Sequence, residues 1–191
     1  MKKIFIVNGN PDSSGITSAL TLSYESGAKT GGHDARSINL GDSEFDPVLH
    51  KGYKEVQELE PALVEVRENI KWADHIVIFY PNWWGTMPAL LKGMFERVLL
   101  PGFAFSFGKG DGTWEKLLEG RSAHVFVTMD NDPKEAREIY GDCSDTIKKA
   151  MLEFCGISPV TVSELGPIRT MNEEEKENLK EKMSELGRKA E

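Results

Sequence analysis

Four short apolar runs limit how this chain can fold: "IFIV" (4–7), "HIVIFY" (75–80), "AHVFVTM" (123–129) and "PVTVSEL" (159–165). Each is β-rich and continuously apolar at its centre, the pattern of a strand buried on both faces. A weaker run, "HDARSINL" (33–40), follows the Gly31-Gly32 break. Amphipathic stretches with helical spacing lie between them. They cover about 17–29, then about 60–72 with Leu63, Val66 and Ile70, and about 88–99 with Leu91, Met94, Phe95 and Val98. Residues 144–155 carry Ile147, Met151, Leu152 and Phe154, and a charged tail, 172–188, carries Leu179, Met183 and Leu186.

Strands alternating with helices predict right-handed crossovers and one doubly wound parallel sheet, an α/β fold with helices on both faces. Five strands in this rhythm favour the order 2-1-3-4-5, the flavodoxin-like arrangement. With no repeat, low-complexity segment or linker in 191 residues, the chain reads as one domain, 1–191. A net charge of -8 argues against a nucleic-acid partner, whose surface would be basic. Two cysteines without a CxxC make no disulfide framework and suggest a reducing compartment. The basic start is followed by only four apolar residues, too few for a signal peptide, and no run approaches a membrane span. The expectation is a soluble cytoplasmic protein with no membrane insertion.

In such a sheet, ligands bind beyond the carboxyl ends of the strands, at the point where the strand order reverses. That singles out three loops: 8–17, 80–88 and 128–140. The first, "NGNPDSSGITSAL", runs from a strand into a helix and is rich in small and hydroxyl residues. A helix N-terminus with unpaired N–H groups and added hydroxyl donors suits an anion without any lysine. It is neither a Walker A loop nor GxGxxG. The same residues also read as ordinary capping by Thr17 or Ser14 with an Asn-Pro-Asp turn.

The second loop, "YPNWWGTMPALLKG" (80–93), places two tryptophans between a proline and a glycine. Pro81 takes the chain out of the sheet, and Pro88 suits the first turn of the next helix. Gly85 permits an unusual backbone angle or a close approach to a ligand. The loop either plugs the sheet end or borders a flat aromatic ligand, with backbone N–H groups reaching polar ring atoms. Together with an anion cradle, the second alternative describes a flavin mononucleotide moiety. No HExxH or cluster of His and Cys suggests a metal. Cys155 reads as a small core residue, His75 and His124 as structural, and residues 130–132 as a loop turn.

"NGNPDSSGITSAL", "FDPVL" (45–49), "YPNWWGTMPALLKGMFERVLLPGFAFSF" (80–107) and "FCGISPV" (154–160) resemble the flavodoxin-like NAD(P)H:quinone oxidoreductase family. The resemblance covers almost the whole chain, and 80–107 is its most specific segment. It implies a homodimer with one non-covalent flavin, FAD or FMN, per subunit, and NAD(P)H as co-substrate. By position, Asn10, Ser14, Ile16, Thr17 and Ser18 would hold the flavin phosphate. Family members commonly have His where this chain has Asn10. Pro81, Asn82, Trp83, Trp84 and Gly85 would border the ribityl chain and ring, joined by Thr128, Met129, Asp130 and Asn131 of the third loop. That loop departs from the Thr-Thr-Gly-Gly turn of the mammalian type. Phe105 and Phe107, with Trp84, would line a substrate pocket, the two phenylalanines serving the other subunit. Tyr140 would stand in for the family's proton-handling Tyr, whose companion His has no counterpart here.

The reaction so implied is a two-electron ping-pong transfer from NAD(P)H through flavin to a quinone-like acceptor. The rival readings are a flavodoxin-type electron carrier and a flavin-binding regulatory subunit of a membrane transport system.

Overall fold

The protein is described by a computed structural model covering residues 1–108 and 112–191. Seven strands and five α-helices alternate along it. They are β1 (Lys3–Asn8), α1 (Ile16–Thr30), β2 (Asp34–Asn39), α2 (Pro61–Trp72), β3 (His75–Pro81) and α3 (Ala89–Val98). Then come β4 (Phe105–Phe107), β5 (Trp114–Lys116), β6 (Ser122–Thr128), α4 (Pro133–Tyr140), a π-helical segment (Thr146–Glu153), β7 (Val160–Leu165) and α5 (Glu173–Lys189). The main sheet is five-stranded and parallel throughout, in the order β2-β1-β3-β6-β7. This is the expected 2-1-3-4-5 order, because the β4–β5 pair forms a separate antiparallel hairpin inserted ahead of β6.

Side chains alternate across a strand, so a continuously apolar run feeds two cores at once. Phe5, Val7, Ile76, Ile78, Tyr80, Val125 and Val127 face α2, α3 and the π-helical segment. Ile4, Ile6, Val77, Phe79 and Phe126 face Leu20, Tyr24 and Ala28 of α1 and Met183 of α5. On that second face Phe79 and Phe126 stack with their ring centroids 4.6 Å apart. Helix α5 is polar over most of its surface and starts at a reciprocal capping box between Asn172 and Glu175. His75 and His124 sit at buried strand positions against Ser122 and Ser163, and burial pushes both below the usual histidine range.

The excursion between β2 and α2, which contains "FDPVL", is tied down by one fully buried charge. Arg97 of α3 donates to the backbone carbonyls of Asp46 and Glu58 and pairs with Glu60 at 2.9 Å. The buried guanidinium is tolerated because Nη1 and Nη2 reach these oxygens, while Nε is left without a partner among the described residues. Among the described residues, no helix is long and apolar enough to cross a membrane.

Helices α1 and α5 touch backbone to backbone. A Cβ placed on Gly187 would lie 2.1 Å from the Tyr24 carbonyl oxygen, and one on Gly27 would lie 2.0 Å from that of Ser184. Replacing a helical Gly by Ala ordinarily stabilises by about 0.5–1 kcal/mol. Here the overpacking cost of about 1–3 kcal/mol outweighs that gain. Gly187→Ala is therefore expected to lower the melting temperature by several degrees, at about 2–4 °C per kcal/mol for a chain of this size. Calorimetry showing a rise would refute the close contact.

Candidate active site

The three loops meet because the sheet's hydrogen bonding continues past the ends of its strands. Gly9 N donates to Phe79 O at 2.7 Å, Asn82 N to Thr128 O at 2.7 Å, and Met129 N to Leu165 O at 2.9 Å. A buried hydroxyl pair, Thr17 Oγ1 and Thr128 Oγ1 at 2.7 Å, joins the start of α1 to the third loop. These links enclose one cavity of about 420 Å³ at the carboxyl edge of the sheet.

At one end lies the N-terminus of α1. Gly15 is its cap and supplies no side-chain hydrogen bond. The first helical N–H bonded within the chain is that of Ala19, to Gly15 O, so the N–H groups of residues 16–18 remain available. Asn10 is buried, and its amide is oriented by its neighbours: Oδ1 accepts from Asp12 N at 3.2 Å. This leaves Nδ2 free to point toward the helix end, 3.3 Å from where a Gly15 Cβ would stand. Asp12 accepts from Ser14 Oγ at 2.7 Å and Ser14 N at 2.9 Å, bonds that hold its carboxyl below the usual range.

At the other end, Trp83-Trp84-Gly85-Thr86 form a two-residue hairpin turn, with Trp83 N donating to Thr86 O and Thr86 N to Trp83 O. Its two central residues have positive φ, 56° at Trp84 and 75° at Gly85. This geometry normally selects Asn-Gly, and a tryptophan in the left-handed region stores strain. The strain holds out an indole that is 97% exposed. The backbone N–H groups of Trp84 and Gly85 have no partner among the described residues. Tyr140, from the last turn of α4, packs its Cβ 3.1 Å from where a Gly85 side chain would start, so a larger residue there would have to push Tyr140 back as well as adopt the positive φ.

Of the residues singled out from sequence, Asn10, Ile16, Thr17, Pro81, Asn82, Trp83, Trp84, Gly85, Thr128, Met129, Asp130, Asn131 and Tyr140 all line this cavity. Ser14 and Ser18 do not. The Ser14 hydroxyl is committed to Asp12, and that of Ser18 donates to Asp12 O and accepts from Asn8 Nδ2 at 2.7 Å. Both hydroxyls therefore shape the loop from behind. Phe105 and Phe107 stand elsewhere, lining a second groove with Phe95, Met151 and Phe154. Sequence reasoning passed over Asp12, Gly15, Ala136 and Ile168, which also line the cavity. Ala136 lies one turn before Tyr140 on α4, which would have signalled it; for Ile168 the sequence holds no such sign.

The arrangement can hold an anionic tail at the helix end and a flat polar-edged ring against the turn. No group of three or more His, Cys, Asp or Glu able to hold a metal occurs among the described residues.

Known proteins fit this geometry. The model of the family described as "flavodoxin-like fold" matches residues 2–190. An uncharacterized NAD(P)H oxidoreductase of Haemophilus influenzae is 27% identical over 159 residues, covering 80% of this chain and 74% of that one. An FMN-dependent NADH:quinone oxidoreductase of Ruegeria pomeroyi is 32% identical over 128 residues, 66% of this chain and 59% of its own. The match covers only 43% of the rat NAD(P)H dehydrogenase [quinone] 1. Among solved structures, Smu.1420 of Streptococcus mutans superposes with a TM-score of 0.82 at 30% identity, covering 97% of this chain and 98% of that one. With its strand order, its rim of three loops and a match running nearly end to end, the chain belongs to the flavodoxin-like fold family, beside relatives named as NAD(P)H:quinone oxidoreductases.

Proposed function

We propose that the protein is a flavin-dependent NAD(P)H:acceptor oxidoreductase acting on quinones or similar flat acceptors. The observation that carries this reading is one cavity with two unlike ends: free helix N–H groups at α1 and an exposed indole on a strained turn. The names of the relatives support the same chemistry. A flavin held there would supply two-electron transfer, taking hydride from NAD(P)H in one half-reaction and reducing the acceptor in the next.

The chain's part is to bind, orient and screen. The N–H groups of residues 16–18, with Asn10 Nδ2 and Thr17 Oγ1, hold the phosphate by neutral donors and the helix end. The N–H groups of Trp84 and Gly85 meet acceptor atoms at the ring edge, where negative charge gathers on reduction. Asp130 and Asn131 close the opposite wall, while Trp83, Trp84 and Tyr140 form a shallow apolar slot in which nicotinamide and acceptor alternate. Tyr140, half exposed at the mouth, is the group we assign to proton delivery. The reading includes a cytoplasmic homodimer, in which Phe105 and Phe107 of one copy line the slot of its partner. Two buried cysteines without a disulfide fit a reducing compartment.

The direct test is to titrate purified protein with FMN and FAD, following flavin fluorescence, and then to assay NADH and NADPH oxidation with menadione. Protein that is colourless and takes up neither flavin would end this reading. Trp84→Asn separates the turn from its indole, since Asn tolerates positive φ. It is expected to keep or raise the melting temperature while lowering kcat/KM for menadione about three- to tenfold, the worth of an aromatic contact. Tyr140→Phe retains the ring on Gly85 and is expected to leave flavin affinity unchanged while lowering kcat about a hundredfold. An unchanged kcat would assign the proton to water.

A further inference from the structure

The tyrosine assigned to proton delivery sits on an element with little of its own to hold it. Helix α4 buries only Ala136 and stops at Gly141, whose φ of 75° turns the chain away from the helix. The place of Tyr140 over Gly85 therefore depends on what anchors the chain on its far side. The first buried residue after that turn is Cys143, which is 3% exposed. Its sulfur accepts from Asn82 Nδ2 at 3.6 Å and donates to Gly141 O at 3.7 Å, lengths that suit sulfur because it is larger than oxygen. Asn82 belongs to the loop proposed to border the ring, and its own N–H is fixed to Thr128 O at 2.7 Å. On the other side of the cysteine, Asp142 accepts from Ser144 N at 2.9 Å and from Ser144 Oγ at 2.7 Å, which stiffens the segment. Two walls of the cavity thus meet twice, Tyr140 on Gly85 and, three residues later, Cys143 on Asn82.

The chemistry of that second contact is not what filling space requires. Both roles of the sulfur need a neutral thiol, since only S–H can donate, and burial, aided by the charge of Glu164, pushes Cys143 up. Two further polar atoms at this end of β3 are buried without a partner among the described residues: Asn82 Oδ1 and the hydroxyl of Tyr80, a residue with no exposed surface. Tyr80 and Asn82 lie two positions apart, so their side chains leave the strand toward the same side. After burial itself, it is Cys143 that does most to raise the Tyr80 phenol. Unpaired buried polar groups destabilise a fold, and apolar side chains here would avoid that penalty. A polar cluster at the joint between the ring loop and the Tyr140 wall points to a task other than packing. We propose that Cys143 is a positioning residue: its thiol clamps the chain after α4 to Asn82 and so sets where Tyr140 stands in the slot. The proposal rests on the flavin reading for its kinetic consequence, and not for the clamp itself.

The first test needs no flavin. Parting of the clamp exposes the sulfur, so the rate at which N-ethylmaleimide labels Cys143 in flavin-free protein, read by peptide mass spectrometry, measures how often the joint opens. Asn82→Leu fills similar space without a donor. It is expected to raise that rate about fivefold, the worth of one hydrogen bond. Cys155, buried elsewhere with its thiol pushed up to about 11, is the internal control and is expected to label at an unchanged rate. Equal labelling of Cys143 in the two proteins, or a rise shared by Cys155, would overturn the clamp.

The second test uses flavin-loaded protein and menadione. Cys143→Ala removes both sulfur bonds and is expected to lower kcat about fivefold, with KM and flavin affinity unchanged. Cys143→Ser keeps a donor and an acceptor and is expected to stay within about twofold of the parent. Because the thiol acts through Tyr140, Cys143→Ala introduced beside Tyr140→Phe is expected to lower kcat no further. Losses that add would show that Cys143 only supports the fold, and would overturn its positioning role. Should Cys143→Ala fold poorly, Asn82→Leu breaks the same clamp and takes its place in the cycle. Failure of the protein to bind either flavin would remove the flavin reading and the kinetic test with it, while the labelling rates would still decide whether the clamp exists.

Discussion

Burial of β1, β3 and β6 on both faces is the constraint from which the rest follows. A strand covered by helices on each side cannot alternate apolar with polar residues, and a crossover through a helix keeps its neighbours parallel. Every loop leaving a carboxyl end then emerges on one rim. The three backbone hydrogen bonds beyond the strands, from Gly9, Asn82 and Met129, convert that proximity into a fixed spacing. The site is thus a by-product of core formation. Its walls are positioned by the same ladder that holds the sheet, so little conformational entropy remains to be lost when a ligand enters.

The sheet was legible because its signal is redundant: four apolar runs and one weaker one, separated by helical patterns, leave few other packings. Three elements were not. Helix α4 is eight residues long and buries only Ala136, too short a stretch for the Ala136, Ile139 and Tyr140 spacing to stand out. The β4–β5 hairpin has strands of three residues, too short for alternation to register. The segment from 146 to 153 shows helical spacing in sequence, yet winds with the wider π repeat, a difference that apolar positions over so few turns do not resolve. The loops of the candidate site were legible from topology alone, and the roles within them only in part. Ser14 and Ser18 look like ligand donors on composition, but their hydroxyls are already satisfied by Asp12 and Asn8. Local hydrogen bonds of that kind depend on coordinates, which sequence spacing does not encode.

An anion in this cavity would meet no basic side chain in its lining, so its binding would depend on direction rather than on net charge. Free N–H groups act over a few ångströms and only along their axes, whereas a lysine attracts from any angle. The Thr17–Thr128 hydroxyl pair belongs to the same economy of aim, since it fixes the first helical turn against the third loop. Donors of that kind would favour a ligand by its shape and orientation.

The walls of the cavity are unequal in firmness. The loops after β1 and β3 are sewn to the sheet, but α4 is held by one buried alanine, the Arg137–Glu164 pair on the surface and the contact of Tyr140 with Gly85. Segments with so little buried area open at low free-energy cost while the core stays closed. Of the walls around the cavity, the one beneath Tyr140 would therefore be the least costly to move, since displacing this one short helix would disturb little of the core.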